Sequence, residues 1–173
     1  NLETRNLVEY FGPISSNRVI GSNLINVLFE DKKGNIWAGS SGDGIFLYEP
    51  DNNSFKPFNS HNSDLINDYI LDIKESLSGY LLIANNQGFS RFDMENQRFY
   101  NYNKQNGFPM TALNPYGLFV ASDNEIFLSG PKMMISFFEK ELNSYVKPYQ
   151  LNFTSLEVNN LVILPNDDSN ILS

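Results

Sequence analysis

Few side chains in this sequence could hold a metal ion or act as a catalytic nucleophile. His61 is the single histidine, and the chain contains no cysteine. A structural zinc site takes its ligands from cysteine and histidine, and a Ser-His-Asp triad needs a positioned histidine. We therefore predict no metal site, no catalytic residue and no cofactor, and we place His61 in an exposed loop.

Aspartates recur at positions that have the composition of turns. Because an aspartate accepts hydrogen bonds from the backbone of its own turn, we predict turn roles for these residues rather than general acid-base catalysis. The aspartates concerned are Asp31, Asp43, Asp51, Asp93 and Asp123.

A glycine-rich stretch and a tryptophan next invite a functional interpretation. Residues 39–44 read GSSGDG, but they lack the Lys-Ser/Thr pair of a phosphate-binding loop and lead into a strand instead of a helix. Trp37 could stack on a sugar ring. It lies in an apolar strand, however, so we predict that it belongs to the core.

The segment that contains Trp37 and the glycine-rich stretch has related copies later in the chain, so the sequence contains an internal repeat. A shift of 45 residues places Gly34 on Gly79, and it aligns Ile36 with apolar residues in two later units. The residues aligned with Gly39 are Ala84 and Ser129, which are also small. In the second half of the first two units the shift becomes 44, which pairs Gly44 with Gly88 and Tyr48 with Phe92, and a one-residue loop deletion explains the change. Each unit should contain four short antiparallel strands joined by turns.

The predicted fold is all-β: a partial β-propeller of about three blades, the last degenerate, followed by the first strands of a β-sandwich. The middle strands are almost continuously apolar, which indicates that both sheet faces are covered. We assign residues 1–14 to the last strand of a preceding blade, 15–60 and 61–105 to two blades, 106–145 to a degenerate terminal blade, and 146–173 to the sandwich. Since a closed array needs roughly four to eight blades, we expect a piece of a larger assembly.

The charge limits the partners. A formal net charge of −8 with scattered Lys and Arg disfavours nucleic acid and anionic membrane surfaces. The longest strongly apolar run, residues 133–138, is far shorter than the roughly 20 residues of a membrane span. We therefore expect contact with a membrane only through segments outside this chain.

One unit matches a known repeat. It contains the stretches Leu28-Phe29-Glu30-Asp31, Gly34-Asn35-Ile36-Trp37, Gly44-Ile45 and Tyr48. This pattern resembles the two-component regulator propeller repeat, and residues 147–160 resemble the opening of the triple-tyrosine domain that typically follows it. The resemblance implies the periplasmic sensor region of a Bacteroidetes hybrid two-component histidine kinase, which detects glycan fragments and regulates polysaccharide utilisation.

Loops between the second and third strands and between units should share one face of a propeller. Amide and aromatic side chains there would suit sugar hydroxyl groups. The residues that we predict to bind an oligosaccharide ligand are Asn85, Asn86, Gln87, Arg91, Asp68 and Tyr69. We expect this chain not to be an enzyme. Two alternatives stay open, a protein-interaction propeller without a small ligand and a propeller carbohydrate-active enzyme. Exposed sheet edges also predict a homodimer or association with other copies of the chain.

Overall fold

The computed structural model describes residues 24–110 and 112–144, together with the backbone of two strands, Leu156–Val158 and Leu161–Ile163. The predicted segment 1–14 lies outside these residues, as does most of 146–173. The two late strands pair antiparallel as a hairpin. Their assignment to a sandwich stays a prediction.

The first two units form four-stranded antiparallel sheets, as predicted from the repeat. Blade 1 contains β1 (Ile25–Glu30), β2 (Ile36–Ser40), β3 (Ile45–Glu49) and β4 (Ser54–Phe58), and blade 2 contains β5 (Ile70–Glu75), β6 (Leu81–Asn85), β7 (Gly88–Asp93) and β8 (Arg98–Tyr102). Sheet order follows chain order in both. The first strands of neighbouring blades lie side by side. This arrangement is that of adjacent propeller blades, and it confirms the all-β prediction.

Blade 3 is reduced, as expected for the degenerate unit. It has three strands, β9 (Leu118–Val120), β10 (Glu125–Ser129) and β11 (Met134–Phe138), with β10 in the centre. A 3-10 helix, Glu139–Ser144, occupies the place where the fourth strand would begin. The blade face directed away from blade 2 carries Phe119 and Met134, which are 61% and 67% exposed.

The turn between the first and second strands repeats in all three blades. The N–H groups of Gly34, Gly79 and Asn124 donate to the carbonyls of Asp31, Ser76 and Ala121, respectively. All three donor residues have positive φ angles, of 82°, 85° and 69°. Glycine adopts this conformation without strain, and asparagine is among the residues that tolerate it best. The 45-residue repeat is thus a repeat of backbone geometry.

Apolar side chains cover both faces of blade 2. One cluster lies between blades 1 and 2 and includes Trp37, Phe58 and Phe92. A second cluster lies between blades 2 and 3 and includes Phe89, Tyr102 and Phe137. Trp37 is 2% exposed, so the prediction that it belongs to the core is confirmed.

The small residue at position 39 has a steric cause. A Cβ atom added to Gly39 would lie 2.6 Å from Cγ2 of Ile70 and 2.7 Å from Cγ1 of Val27. Ile70 belongs to the first strand of the next blade, so the two sheets pack closely at this position. This agrees with the small residues predicted at one position in every unit.

Candidate functional site

The blades present two ends, which we call the upper and lower faces. The upper face contains the turns between second and third strands and the connections between blades. The lower face contains the turns between first and second strands and between third and fourth strands. Five of the six predicted ligand-binding residues lie on the upper face, whereas Arg91 lies in the lower half of β7, paired with Leu82 and Tyr100.

Asn85 and Asp68 serve the architecture of the upper face. Asn85 is fully buried; its Nδ2 donates to the Ser90 hydroxyl, and its Oδ1 accepts from the backbone N–H of Gln87. The Asp68 carboxylate accepts from the backbone N–H and the hydroxyl of Ser60 at 2.7 and 2.6 Å. These side chains hold turns in place, so they are poorly available to a ligand.

The Asp68 carbonyl accounts for the glycine-rich loop. It accepts from the N–H groups of Gly42 and Gly44 at 3.1 and 2.9 Å, and the N–H of Asp43 donates to the Ser40 hydroxyl. The amides that could have cradled a phosphate are thereby engaged within the protein. The loop is the turn between β2 and β3, and these hydrogen bonds tie it to the connection that leads into blade 2. It is not a phosphate-binding loop, as its sequence indicated.

The exposed predicted residues are Asn86, Gln87 and Tyr69. Asn86 and Gln87 form the tip of the turn between β6 and β7, and Tyr69 is 40% exposed immediately before β5. The N–H of Asn86 donates to the Tyr69 carbonyl at 3.2 Å, so the turn and the blade connection are held together. These three side chains can contact a ligand on the upper face.

Tyr116 joins them, and sequence reasoning missed it. It is 70% exposed and has a φ of 56°, an uncommon conformation for a bulky residue. Its backbone N–H donates to the carbonyl of Leu71, and its hydroxyl donates to the carbonyl of Asn26 at 3.0 Å. Asn26 and Leu71 occupy the equivalent β-bulges in the first strands of blades 1 and 2.

Tyr116 therefore connects blade 3 to both bulges while its ring stays open to solvent. Non-glycine residues in this region of φ and ψ and β-bulges both concentrate at functional sites. Asn26 is fixed in turn, because its Nδ2 donates to the Ile70 carbonyl and its Oδ1 accepts from the Ser41 hydroxyl. No repeat feature marks Tyr116, since it lies in the irregular connection before β9.

The lower face is organised by carboxylates. Asp31, which is 4% exposed, accepts from the backbone N–H groups of Lys33 and Asn35, from the Asn35 amide and from Trp37 Nε1, at 2.9 to 3.0 Å. Burial raises the pKa of the Asp31 carboxyl, but these hydrogen bonds outweigh it and leave the pKa below its ordinary value. The Asp, Asn and Trp of the repeat pattern thus form one hydrogen-bonded unit with a structural role.

Asp93 has the same role in the turn after β7. Its carboxylate accepts from the N–H groups of Glu95 and Asn96 and from the Asn96 amide. Those hydrogen bonds lower its pKa. The predicted turn role is confirmed for Asp31 and Asp93, and Asp123 also accepts a backbone hydrogen bond within its turn, from Glu125.

Arg91 lies in a cleft between blades 2 and 3. Its guanidinium lies 4.6 Å from the Tyr80 ring and 4.9 Å from the Tyr100 ring, and its Nη1 is 3.9 Å from Oε1 of Glu139. Asn124 Nδ2 donates to the other oxygen of Glu139 at 3.3 Å. The cleft has a volume of about 560 Å³. Its lining residues are Ser78, Tyr80, Arg91, Asp123, Asn124, Phe138, Glu139 and Lys140.

Two absences apply to the described part of the chain. Among residues 24–110 and 112–144, no group of three or more His, Asp or Glu side chains is arranged to hold a metal ion. No helix within the described residues has the length and apolar character needed to cross a membrane.

Comparisons with known proteins agree with this architecture. Residues 20–42 match the family described as two component regulator propeller. No curated protein matches the chain. The structure is similar to the extracellular domain of what is described as a "putative hybrid two component system", BT3049 from B. thetaiotaomicron, with a TM-score of 0.64 and 22% identity over 84% of this chain.

A second solved structure is also similar. It is the extracellular domain of BT4673 from the same organism, with a TM-score of 0.61 and 18% identity over 84% of this chain. The matched regions are 21% and 23% of the two solved chains, so the present chain spans about a fifth of their length. At these identities the likeness shows the fold.

Proposed function

We propose that this chain is part of the extracytoplasmic sensor region of a hybrid two-component histidine kinase that detects glycan fragments and regulates polysaccharide utilisation. The observation that carries the proposal is the joint match of residues 20–42 to the regulator propeller family and of the fold to extracellular domains of such systems. Those domains also support placement in the periplasm. In this proposal the chain binds a ligand and performs no catalysis.

The upper face supplies the contacts for a neutral oligosaccharide. Exposed tyrosine rings offer apolar surfaces to sugar rings, and amides both donate to and accept from hydroxyl groups. Tyr69, Asn86, Gln87 and Tyr116 provide this combination on one face. Binding there would favour one arrangement of blades 1 and 3, since Tyr116 already joins them, and the ligand would act by shifting a population.

Calorimetry on the full chain tests this proposal. Oligosaccharides released from starch, inulin, xylan and pectin are titrated into the wild type and into Asn86→Ala and Tyr116→Ala variants. We expect at least one digest to bind, and we expect each substitution to weaken that binding by about ten-fold or more, as loss of a stacking or polar contact implies.

Asn85→Ala is the informative comparison in that experiment. Asn85 is buried within its turn, so its substitution should lower the melting temperature more than Asn86→Ala does. Binding that survives in both upper-face variants would remove this face from the ligand site. Failure of all digests to bind, with binding of a partner protein instead, would favour a protein-interaction propeller.

A further inference from the structure

The cleft between blades 2 and 3 departs from the packing used in the neighbouring interface. By the repeat register, Arg91 is aligned with Leu47, and Glu139 is aligned with Met94. Leu47 and Met94 both pack against the apolar cluster between blades 1 and 2. An apolar pair therefore satisfies this position in one interface, and the other interface holds a buried ion pair.

Burial of that ion pair carries a large desolvation free energy. The side chains of Arg91 and Glu139 are 9% and 6% exposed, and desolvating two charges can cost more than their attraction returns. Their separation of 3.9 Å is longer than a hydrogen bond. Among the described residues, Oε1 of Glu139 has no hydrogen-bond partner. Packing alone does not account for such a pair, since its apolar counterpart is present one blade away.

The cleft itself has the size and composition of a small-molecule site. Its volume of about 560 Å³ lies within the range of about 300–1,000 Å³ that ligand pockets occupy. Two cationic and two anionic side chains line it, Arg91, Lys140, Asp123 and Glu139, so its charge is balanced. Tyr80 and Phe138 add aromatic surface.

We propose that this cleft binds a neutral polyhydroxylated ligand of sugar size, with one ligand hydroxyl placed between Arg91 and Glu139. The hydroxyl oxygen accepts from Arg91 Nη1, and its hydrogen donates to Glu139 Oε1. An oxygen can lie at about 2.8–2.9 Å from both atoms when they are 3.9 Å apart. The inference rests on the proposed function in that a sugar is the expected class of ligand. The position of the ligand hydroxyl is argued from the geometry of the cleft alone.

The chemistry selects a hydroxyl over charged groups. A carboxylate could accept from Arg91, but it has no proton to donate and would be repelled by Glu139. An ammonium could donate to Glu139, but it cannot accept and would be repelled by Arg91. A single ligand group that bonds to both side chains at this separation must accept from Arg91 and donate to Glu139, which a hydroxyl can do. The rings of Tyr80 and Tyr100 flank the guanidinium and hold it in position for this contact.

NMR on the full chain, observing the ring signals of Tyr80 and Tyr100, tests the inference. The probes are D-glucose, D-galactose, D-mannose and myo-inositol, with acetate and ethylammonium as the carboxylate and ammonium comparators. We expect at least one neutral probe to shift these signals in a saturable manner. Glu139→Gln and Arg91→Lys should each raise the dissociation constant by about ten-fold or more, because each weakens a charged hydrogen bond.

Lys104→Ala is the matched control: it removes an exposed cation from the 3-10 helix Lys104–Asn106, outside the cleft, and should leave this binding unchanged. Circular dichroism confirms that each variant is folded. The inference is overturned if no neutral probe shifts the signals, if acetate or ethylammonium binds as tightly as the sugars, or if folded Glu139→Gln and Arg91→Lys both bind like the wild type. Oligosaccharide binding that depends on Asn86 but leaves the cleft signals unmoved would overturn the cleft site while the proposed function stands.

Discussion

The two interfaces between blades are built on the same register with different chemistry. Between blades 1 and 2, the aligned positions hold Phe58, Leu47 and Met94, and all three pack against one apolar cluster. Between blades 2 and 3, the same positions hold Tyr102, Arg91 and Glu139. A repeat can thus keep its backbone geometry while one interface becomes polar.

In the described part of the chain, the interface between blades 2 and 3 contains buried polar atoms without hydrogen-bond partners. At the aligned positions of the first interface, the side chains are apolar and have no such atoms. Tyr102 is fully buried, and within the described residues its hydroxyl has no hydrogen-bond partner. Burial raises the pKa of Tyr102, and Arg91 opposes that rise. Polar atoms left in this state cost free energy, so the second interface should be the less efficient of the two in stabilising the fold. If stability alone governed this interface, an apolar pair like Leu47 and Met94 would serve it at least as well.

The largest expected effect on the difference between the two interfaces comes from breaking the Arg91–Glu139 ion pair. Arg91→Leu should lower the free energy of unfolding by about 3–5 kcal/mol, because it leaves the buried Glu139 charge without its partner. Arg91→Leu combined with Glu139→Met copies the first interface into the second. The double variant should be as stable as the wild type or more stable, by up to about 4 kcal/mol.

Urea denaturation measures all three proteins. A double variant that is as unstable as Arg91→Leu alone would show that the two interfaces are not interchangeable. The expectation that an apolar pair would serve this interface at least as well would then fail.

A smaller effect is expected at the turn that supports the first interface. Asp31→Ser places there the residue that blade 2 has at Ser76, where the hydroxyl accepts from the Tyr80 N–H. It should cost about 2–4 kcal/mol at neutral pH, because it removes two or more hydrogen bonds and leaves the buried Trp37 N–H unpaired.

The pH dependence sharpens this test. The folded pKa of Asp31 is lowered from an ordinary value of 3.8, so its contribution is present above that pH and is lost as pH falls through the folded pKa. The difference in stability between wild type and Asp31→Ser should therefore shrink in acid. Thermal unfolding between neutral pH and strongly acidic pH measures it, and a difference independent of pH would contradict the assigned role of the carboxylate.

The smallest effect concerns the close approach of blades 1 and 2. Gly39→Ala should destabilise by about 1–2 kcal/mol, because the added methyl group meets Ile70 and Val27 and overpacks the interface. Ala84→Gly is the reciprocal change at the aligned position in blade 2, where a methyl group is already accommodated. If Gly39→Ala were neutral in chemical denaturation, the first interface would be looser than the structure indicates.

Sequence predicted the parts of this molecule that follow from repetition. Aligned apolar residues located the strands, the placing of Gly34 and Gly79 located equivalent turns, and the small residue at Gly39 indicated crowding between sheets. Trp37 could be assigned to the core because its strand was apolar on both faces. Backbone conformation and burial restrict the residue types at these positions in each of the three units. The alignment of the units therefore makes the restriction visible in a single sequence.

The candidate sites were less accessible from sequence. Arg91 was predicted with the upper-face residues, but it is the fourth residue of β7 counted from the upper turn and lies in the lower half of that strand. Asn85 looked like an exposed turn amide, although its side chain is buried by bonds within that turn. Tyr116 lies outside the repeat, and its partners Asn26 and Leu71 are defined only by where the bulges bring their carbonyl groups.

The bond from Tyr116 to Asn26 also changes how the array behaves as a linear system. In repeat proteins, stability is approximately a sum of unit terms and nearest-neighbour interface terms. A hydrogen bond that spans 90 residues, from blade 3 to blade 1, adds a second-neighbour term. A disturbance in blade 3 can therefore reach blade 1 directly, without first loosening the core of blade 2.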